Sequence, residues 1–142
     1  MKKYIFIACG GFLGAILRVV IKGWQIPGYS ENIPLNTLII NVVGSFLLAL
    51  ILTIAYEVRD MNADVRLGIA TGFLGAFTTF STLCKETVAL LKNGEYFSAL
   101  SYVTVSVMLG FAAAYFGMVL ACETVSKVLG KEEEEAEGDD EN

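Results

Sequence analysis

The chain has 142 residues, 55% of them hydrophobic, a mean hydropathy of +0.61 and a formal charge of −5. That is too apolar for a soluble domain of this size. With no histidine and no cysteine cluster at zinc spacing, a zinc or haem enzyme is not expected, and no enzymatic role is assigned. The expected surroundings are the lipid bilayer of the plasma membrane, crossed several times, and not nucleic acid.

A membrane-spanning helix needs about 20 apolar residues. Such runs occur at residues 4–21, 33–56, 66–90 and 96–122. The sequence therefore predicts an all-α membrane protein of four transmembrane helices over residues 1–126, followed by a disordered acidic tail over 127–142. The tail contains eight of the 15 acidic residues, which explains the pI of 4.7. Cys9, Cys84 and Cys122 all fall within spans and are expected to stay reduced. Four spans place both termini on one side. Lys2, Lys3, Arg59, Arg66, Lys127 and Lys131 then outnumber Lys22 and Lys92 on the other, a moderate bias towards cytoplasmic termini.

The first run follows Lys2 and Lys3 as a signal peptide would. Gly10, Gly11 and Gly14 break its apolar core, and Arg18 follows with no clear cleavage site, so it is kept as a helix. Gly10, Gly14 and Arg18 share a face at i, i+4, i+8, and small residues at that spacing let a neighbouring helix approach closely. Two roles are open to Arg18: snorkelling to the interface, or attracting anions at a vestibule mouth. In the second run Asn41 lies mid-span, with Thr37 and Ser45 one turn either side. A buried Asn has two donors and an acceptor to place, and a tie between helices would place them.

The third run holds the least regular stretch, Gly72 to Leu83. Gly75 weakens the helix there, and the hydroxyls of Thr78, Thr79, Ser81 and Thr82 compete for its backbone partners. A broken helix survives in hydrocarbon only where protein or a polar cavity satisfies the freed groups. Either an ordinary polar kink or a place where something polar binds or passes fits that pattern. Glu86 follows, with Lys85 and Lys92 as nearby ion-pair partners. In the fourth run Tyr102, Ser106 and Gly110 share a face, and Gly110, Ala113, Ala114 and Gly117 form a small-residue packing seam.

Gly72-x-x-Gly75-x-x-Thr78-Thr79-Phe80-Ser81-Thr82, followed by Glu86, resembles the signature of the CrcB/Fluc family of fluoride channels. Three further stretches match that family: Gly10-Gly11-x-x-Gly14-Ala15-x-x-Arg18, Asn41-Val42-x-Gly44-Ser45-Phe46, and Tyr102-x-x-x-Ser106-x-x-x-Gly110. Two positions depart from it. Val19 stands where the family commonly has Tyr, and Leu83 where it has a second Phe.

The resemblance implies an antiparallel dual-topology dimer in which both subunits line two fluoride pores. A structural Na⁺ would sit at the centre, where the broken third helices cross, held by the backbone carbonyls of Gly75 and Thr78. The anion pathway would involve Asn41, Phe80, Ser81, Thr82, Tyr102 and Ser106. Leu83 would occupy the second Phe position and Arg18 the vestibule mouth. Asn41 then becomes a pore-lining amide that donates to the passing anion. The implied function is passive, fluoride-selective export from the cytoplasm, which lowers fluoride toxicity. Two alternatives stay open. One is a proton-coupled small exporter with Glu86 as its proton site. The other, raised by Leu83, is one non-conducting half of a heterodimeric channel with a paralogous subunit.

Overall fold

The computed structural model describes residues 2–24, 33–57 and 62–139, with the backbone alone for 57 and 128–139. Helix α1 spans Lys2–Lys22 and α2 spans Leu35–Glu57. The third membrane segment is composite: α3 (Ala63–Leu67), a π-helical stretch (Gly68–Leu74), α4 (Gly75–Phe77) and α5 (Phe80–Lys92). Helix α6 runs over Tyr96–Asp139. Four segments are long and apolar enough to cross a membrane: Lys2–Lys22, Leu35–Tyr56, Ala63–Lys92 and Tyr96–Lys127. The predicted spans are therefore met to within a few residues at each end.

Local sequence sets the boundaries. Asn62 caps α3, its Oδ1 accepting the Asp64 N–H at 2.8 Å. At the far end Asn93 and Gly94 turn the chain between α5 and α6, and Gly94 has φ 80°, a conformation that costs glycine least. Helix α6 continues into the acidic run beyond the fourth span as far as Asp139. Glu, Lys, Ala and Leu are good helix formers, and extending an existing helix needs no new nucleus. Arg59, counted in the charge bias, and the last three residues lie outside the described residues.

The four segments pack as two parallel pairs. Helix α1 runs alongside the π-helical stretch, and the contact is made by glycine. A Cβ on Gly10 would collide with the Gly68 carbonyl oxygen, and one on Gly14 with the Phe73 carbonyl oxygen. From the other side, Gly68 and Gly72 meet the backbone at Phe6 and Ile7. The shared face of Gly10 and Gly14 thus serves as the spacing implied. Helix α2 runs beside α6, where Gly117 lies against the Phe46 carbonyl and the Phe46 and Phe116 rings stack with centroids 6.1 Å apart.

The buried core is small. Ile40, Leu74 and Phe77 form one cluster; Leu90, Ala99 and Tyr102 form another, with Ile33, Leu38 and Leu83 packed against it. Many large apolar side chains face outward, among them Phe12, Phe97, Leu100, Met108 and Phe111. In water such a surface would aggregate, whereas against lipid or another membrane helix it is the expected exterior.

Gly10→Ala and Gly14→Ala must push backbone against backbone. Each is expected to destabilise by at least about 1–3 kcal/mol, the scale of overpacking. Gly11→Ala is the control, because its added Cβ finds its nearest atom at 3.8 Å. It should be neutral or gain up to about 1 kcal/mol of helix propensity. Thermal unfolding in detergent, followed by size-exclusion chromatography, checks the contrast.

Candidate functional site

The third membrane segment stops being helical at two residues. Thr78 has φ −72° and ψ 156°, and Thr79 has φ −150° and ψ 111°, both extended. An extended pair inside an apolar span leaves backbone groups without helical partners, and each needs another.

Side chains supply most of them. The Thr78 N–H and its hydroxyl both donate to the Leu74 carbonyl, at 3.0 and 2.9 Å. Asn41 of α2 clamps Thr79 from both sides: Oδ1 accepts the Thr79 N–H at 2.8 Å, and Nδ2 donates to the Thr79 carbonyl at 3.1 Å. Thr79 then caps α5, its Oγ1 accepting the Thr82 N–H at 3.2 Å. Its own hydroxyl donates to Thr82 Oγ1 at 2.9 Å and lies 3.4 Å from Ser81 Oγ. Helix α2 can come this near because position 44 is Gly; a Cβ there would collide with Thr78 Cγ2.

The carbonyls of Gly75 and Thr78 are among those that lose their helical donors in the process. The Thr79 N–H, due to the Gly75 carbonyl in a continuous helix, goes to Asn41. The Thr82 N–H, due to the Thr78 carbonyl, goes to Thr79 Oγ1. Oxygen donors released in this way suit a hard monovalent cation. Among the described residues no group of three or more His, Cys, Asp or Glu could hold a metal ion.

Asn41, Gly44, Ser45 and Leu48 of α2 join Thr78, Thr79 and Phe80 around an open pocket of about 230 Å³. Phe80 is 78% exposed at its rim, Ser81 is exposed beside it, and Thr82 is half-buried. A second polar group lies further along α5. Tyr102 is 1% exposed, and its hydroxyl donates to Glu86 Oε2 at 2.9 Å. Glu86 Oε1 accepts from the Thr37 hydroxyl at 3.1 Å and from Lys22 Nζ at 2.8 Å. Ser106 Oγ donates to the Tyr102 carbonyl at 2.6 Å.

One sequence reading changes here. Glu86 pairs with Lys22, 64 positions away, and not with Lys85 or Lys92. Lys85 directly follows Cys84 on the exposed side of α5, whereas the end of α1 is brought to the carboxylate by tertiary packing. Leu83 turns inward onto Leu90, Ala99 and Tyr102, while Phe80 faces out, so the two do not share one surface within a subunit. Arg18 is half-buried on α1 and is not among the residues lining the pocket. Thr79, in the sequence only one of four competing hydroxyls, is the centre of the network. The signal available for it is a Thr directly before a helix-forming run, which is an N-cap pattern.

Asn41→Ala would leave the buried N–H and carbonyl of Thr79 unpaired, at about 1–3 kcal/mol for each group. A loss of several degrees in the unfolding midpoint is expected. Asn41→Asp keeps the acceptor but sets a charge against the Thr79 carbonyl, and should be at least as unstable. A melting series in detergent decides; a midpoint unchanged in Asn41→Ala would remove the clamp from this account.

The family model described as CrcB-like protein, Camphor Resistance (CrcB), matches residues 5–118. A relative from Thermosipho melanesiensis, named fluoride-specific ion channel FluC, is 44% identical over 119 residues, 83% of this chain and 94% of the relative. One of the same name from Thermus thermophilus is 40% identical over 117 residues, 82% of this chain and 91% of the relative. Another from a Sulfurihydrogenibium species is 38% identical over 121 residues, 85% of this chain and 98% of the relative. The match takes in all four membrane segments and the break in the third, and on that extent this chain belongs to the CrcB family.

Proposed function

We propose that this chain is a fluoride-selective passive ion channel that exports fluoride from the cytoplasm and so lowers its toxicity. The observation that carries the reading is the 38–44% identity to proteins named fluoride-specific ion channel, over nearly the whole length of each. The geometry supports it. Fluoride is small, strongly hydrated and only accepts hydrogen bonds, so a selective route must replace its water with donors. Asn41 spends one Nδ2 hydrogen on Thr79 and keeps the other. Thr82 Oγ1 accepts from Thr79 and keeps its own hydroxyl hydrogen to donate. Ser81 is exposed beside them, and the positive edge of the outward Phe80 ring can meet an anion without offering a full charge. The hydroxyls of Tyr102 and Ser106 are committed to Glu86 and to the Tyr102 carbonyl, so they act by holding the route's wall, or donate after release.

The working form in this reading is an antiparallel dimer of one chain inserted in both orientations. Its support is the exposure of Phe80 and Ser81 in the middle of a membrane segment, where a second subunit would cover them. The Gly75 and Thr78 carbonyls would hold a structural Na⁺ where the two broken segments cross, fixing that crossing. A proton-coupled exporter is less well supported, because Glu86 already accepts three hydrogen bonds from protein donors. Leu83 is the one feature that favours a heterodimeric half-channel, since it replaces an aromatic ring of the family's pattern.

Purified chain in liposomes should release fluoride down its gradient with no pH gradient imposed. No release, with dimer intact, would favour the half-channel reading. Phe80→Leu, losing an aromatic contact worth about 1 kcal/mol, should slow flux about fivefold. Leu83→Phe enlarges a side chain already packed on Tyr102 and is expected to cost about 1–3 kcal/mol of stability unless the ring turns outward. The same assay, with dimer content measured alongside, reads both variants.

Dual insertion has its own measurement. With both termini tagged, protease added to sealed inverted vesicles should cleave about half of the molecules, as equal populations of two orientations require. Complete cleavage or complete protection would mean a single orientation.

A further inference from the structure

The proposed route passes an acid. Glu86 lies one helical turn beyond Thr82 on α5, and its carboxylate touches both the Thr37 and Tyr102 hydroxyls. An anion moving along Thr82 and Tyr102 would meet it at close range. Like charges repel several times more strongly in a protein interior than in water, because the effective dielectric is about 20 instead of about 80. An unopposed carboxylate at this point would close the route to anions. A second carboxylate, Glu95, shares a nearby pocket of about 180 Å³ with Glu86.

One cation answers it. Lys22 Nζ lies 2.8 Å from Glu86 Oε1, with the Glu86 side chain 18% exposed. Among the described residues Lys85, Lys92 and Arg18 form no ion pair with this carboxylate. The end of α1 that carries Lys22 is itself pinned, because Asn36 Nδ2 donates to the Lys22 carbonyl at 3.1 Å and to the Trp24 carbonyl at 2.7 Å. Glu86 in turn accepts from Thr37 and Tyr102, which are 0% and 1% exposed, so the acid has a structural use its charge would otherwise defeat.

We propose that Lys22 is a positioning residue for anion passage: its ammonium group neutralises Glu86 and holds the carboxylate against Thr37 and Tyr102. This rests on the fluoride-channel reading above. The requirement is for charge and not for the ammonium shape, so a guanidinium on a similar stem serves as well.

The full-length chain is reconstituted in liposomes as parent, Lys22→Met, Lys22→Arg, Glu86→Gln and the Lys22→Met/Glu86→Gln double variant. Fluoride efflux, dimer content and unfolding midpoint are measured for each. Lys22→Met should lower flux about tenfold with the dimer intact, the effect of roughly one uncompensated charge near the route. Lys22→Arg should stay within about twofold of the parent, since the charge is kept. With Glu86→Gln present, Lys22→Met should bring no further loss, because the charge it opposed is gone. The proposal is overturned if Lys22→Met conducts like the parent, if Lys22→Arg falls as far as Lys22→Met, or if the loss is equal in both Glu86 backgrounds. A flux loss that only follows loss of dimer also overturns it, assigning Lys22 to folding. A parent that passes no fluoride sinks the channel reading instead. The pair is then judged by melting: Lys22→Met must lower the midpoint more in the parent than in the Glu86→Gln background, and equal drops reject it.

Discussion

Breaking a helix inside hydrocarbon frees backbone groups that no water can reach, and the bonds that recapture them organise this fold. Asn41 is the central one. Its amide offers an acceptor and a donor in the plane of one side chain, and Thr79 presents an N–H and a carbonyl to match. The pairing resembles one rung of a sheet, with a side chain in place of the neighbouring strand. Thr79 can then stay extended and cap α5 with its own hydroxyl. Remove the clamp, and the Thr79 N–H and carbonyl lose the partners that let the break stand in an apolar span.

The clamp works only if α2 lies close, and glycine makes that possible. Gly44 lets α2 reach the Thr78 side chain, while Gly10 and Gly14 let α1 lie against the π-helical stretch just before the break. Without a hydrophobic force between helices in lipid, such close contacts and interhelical hydrogen bonds hold the bundle. The break is therefore gripped from two sides: by backbone packing upstream, through α1, and by hydrogen bonds at its centre, through α2. Downstream, Glu86 ties α5 to α1, α2 and α6 through Lys22, Thr37 and Tyr102. Rigid support on every side suits a site that must stay open in a membrane.

The spans and the break are legible in the sequence because each is a local property. Apolar runs of membrane length mark the first, and a glycine with clustered hydroxyls marks the second. The close face of Gly10 and Gly14 is legible for the same reason, since helical spacing alone puts them together. Tertiary packing decides the rest, and it leaves no local trace. Nothing near Glu86 in sequence points to Lys22, and two nearer lysines draw attention away from it. The inward turn of Leu83 depends on where Tyr102 lies on another helix. The roles of Asn41 differ in the same way: a helix tie and a donor to an anion look like rivals, yet the amide has enough hydrogens for both.

The hydrogen that the clamp leaves on Asn41 bears on the assembly proposed above. Asn41, with its remaining hydrogen, lines an open pocket that Phe80 also borders, while Ser81 is exposed and the Thr82 hydroxyl half-buried beside it. Lipid offers these groups no partner, and an unmet donor in hydrocarbon costs several kcal/mol, so a single subunit exposing them is a poor end state. Covering the pocket wholly with apolar side chains would leave the donors unmet. Covering it with a surface that has its own donors would leave a narrow, polar lining. The inverted second copy proposed above would be such a cover, because it would bring an identical set of donors and the same outward aromatic. The lining that results would hold the anion itself by hydrogen bonds and ring edges, tightly enough to replace its water and weakly enough to let it go, while the Lys22–Glu86 pair keeps the charge beside it balanced.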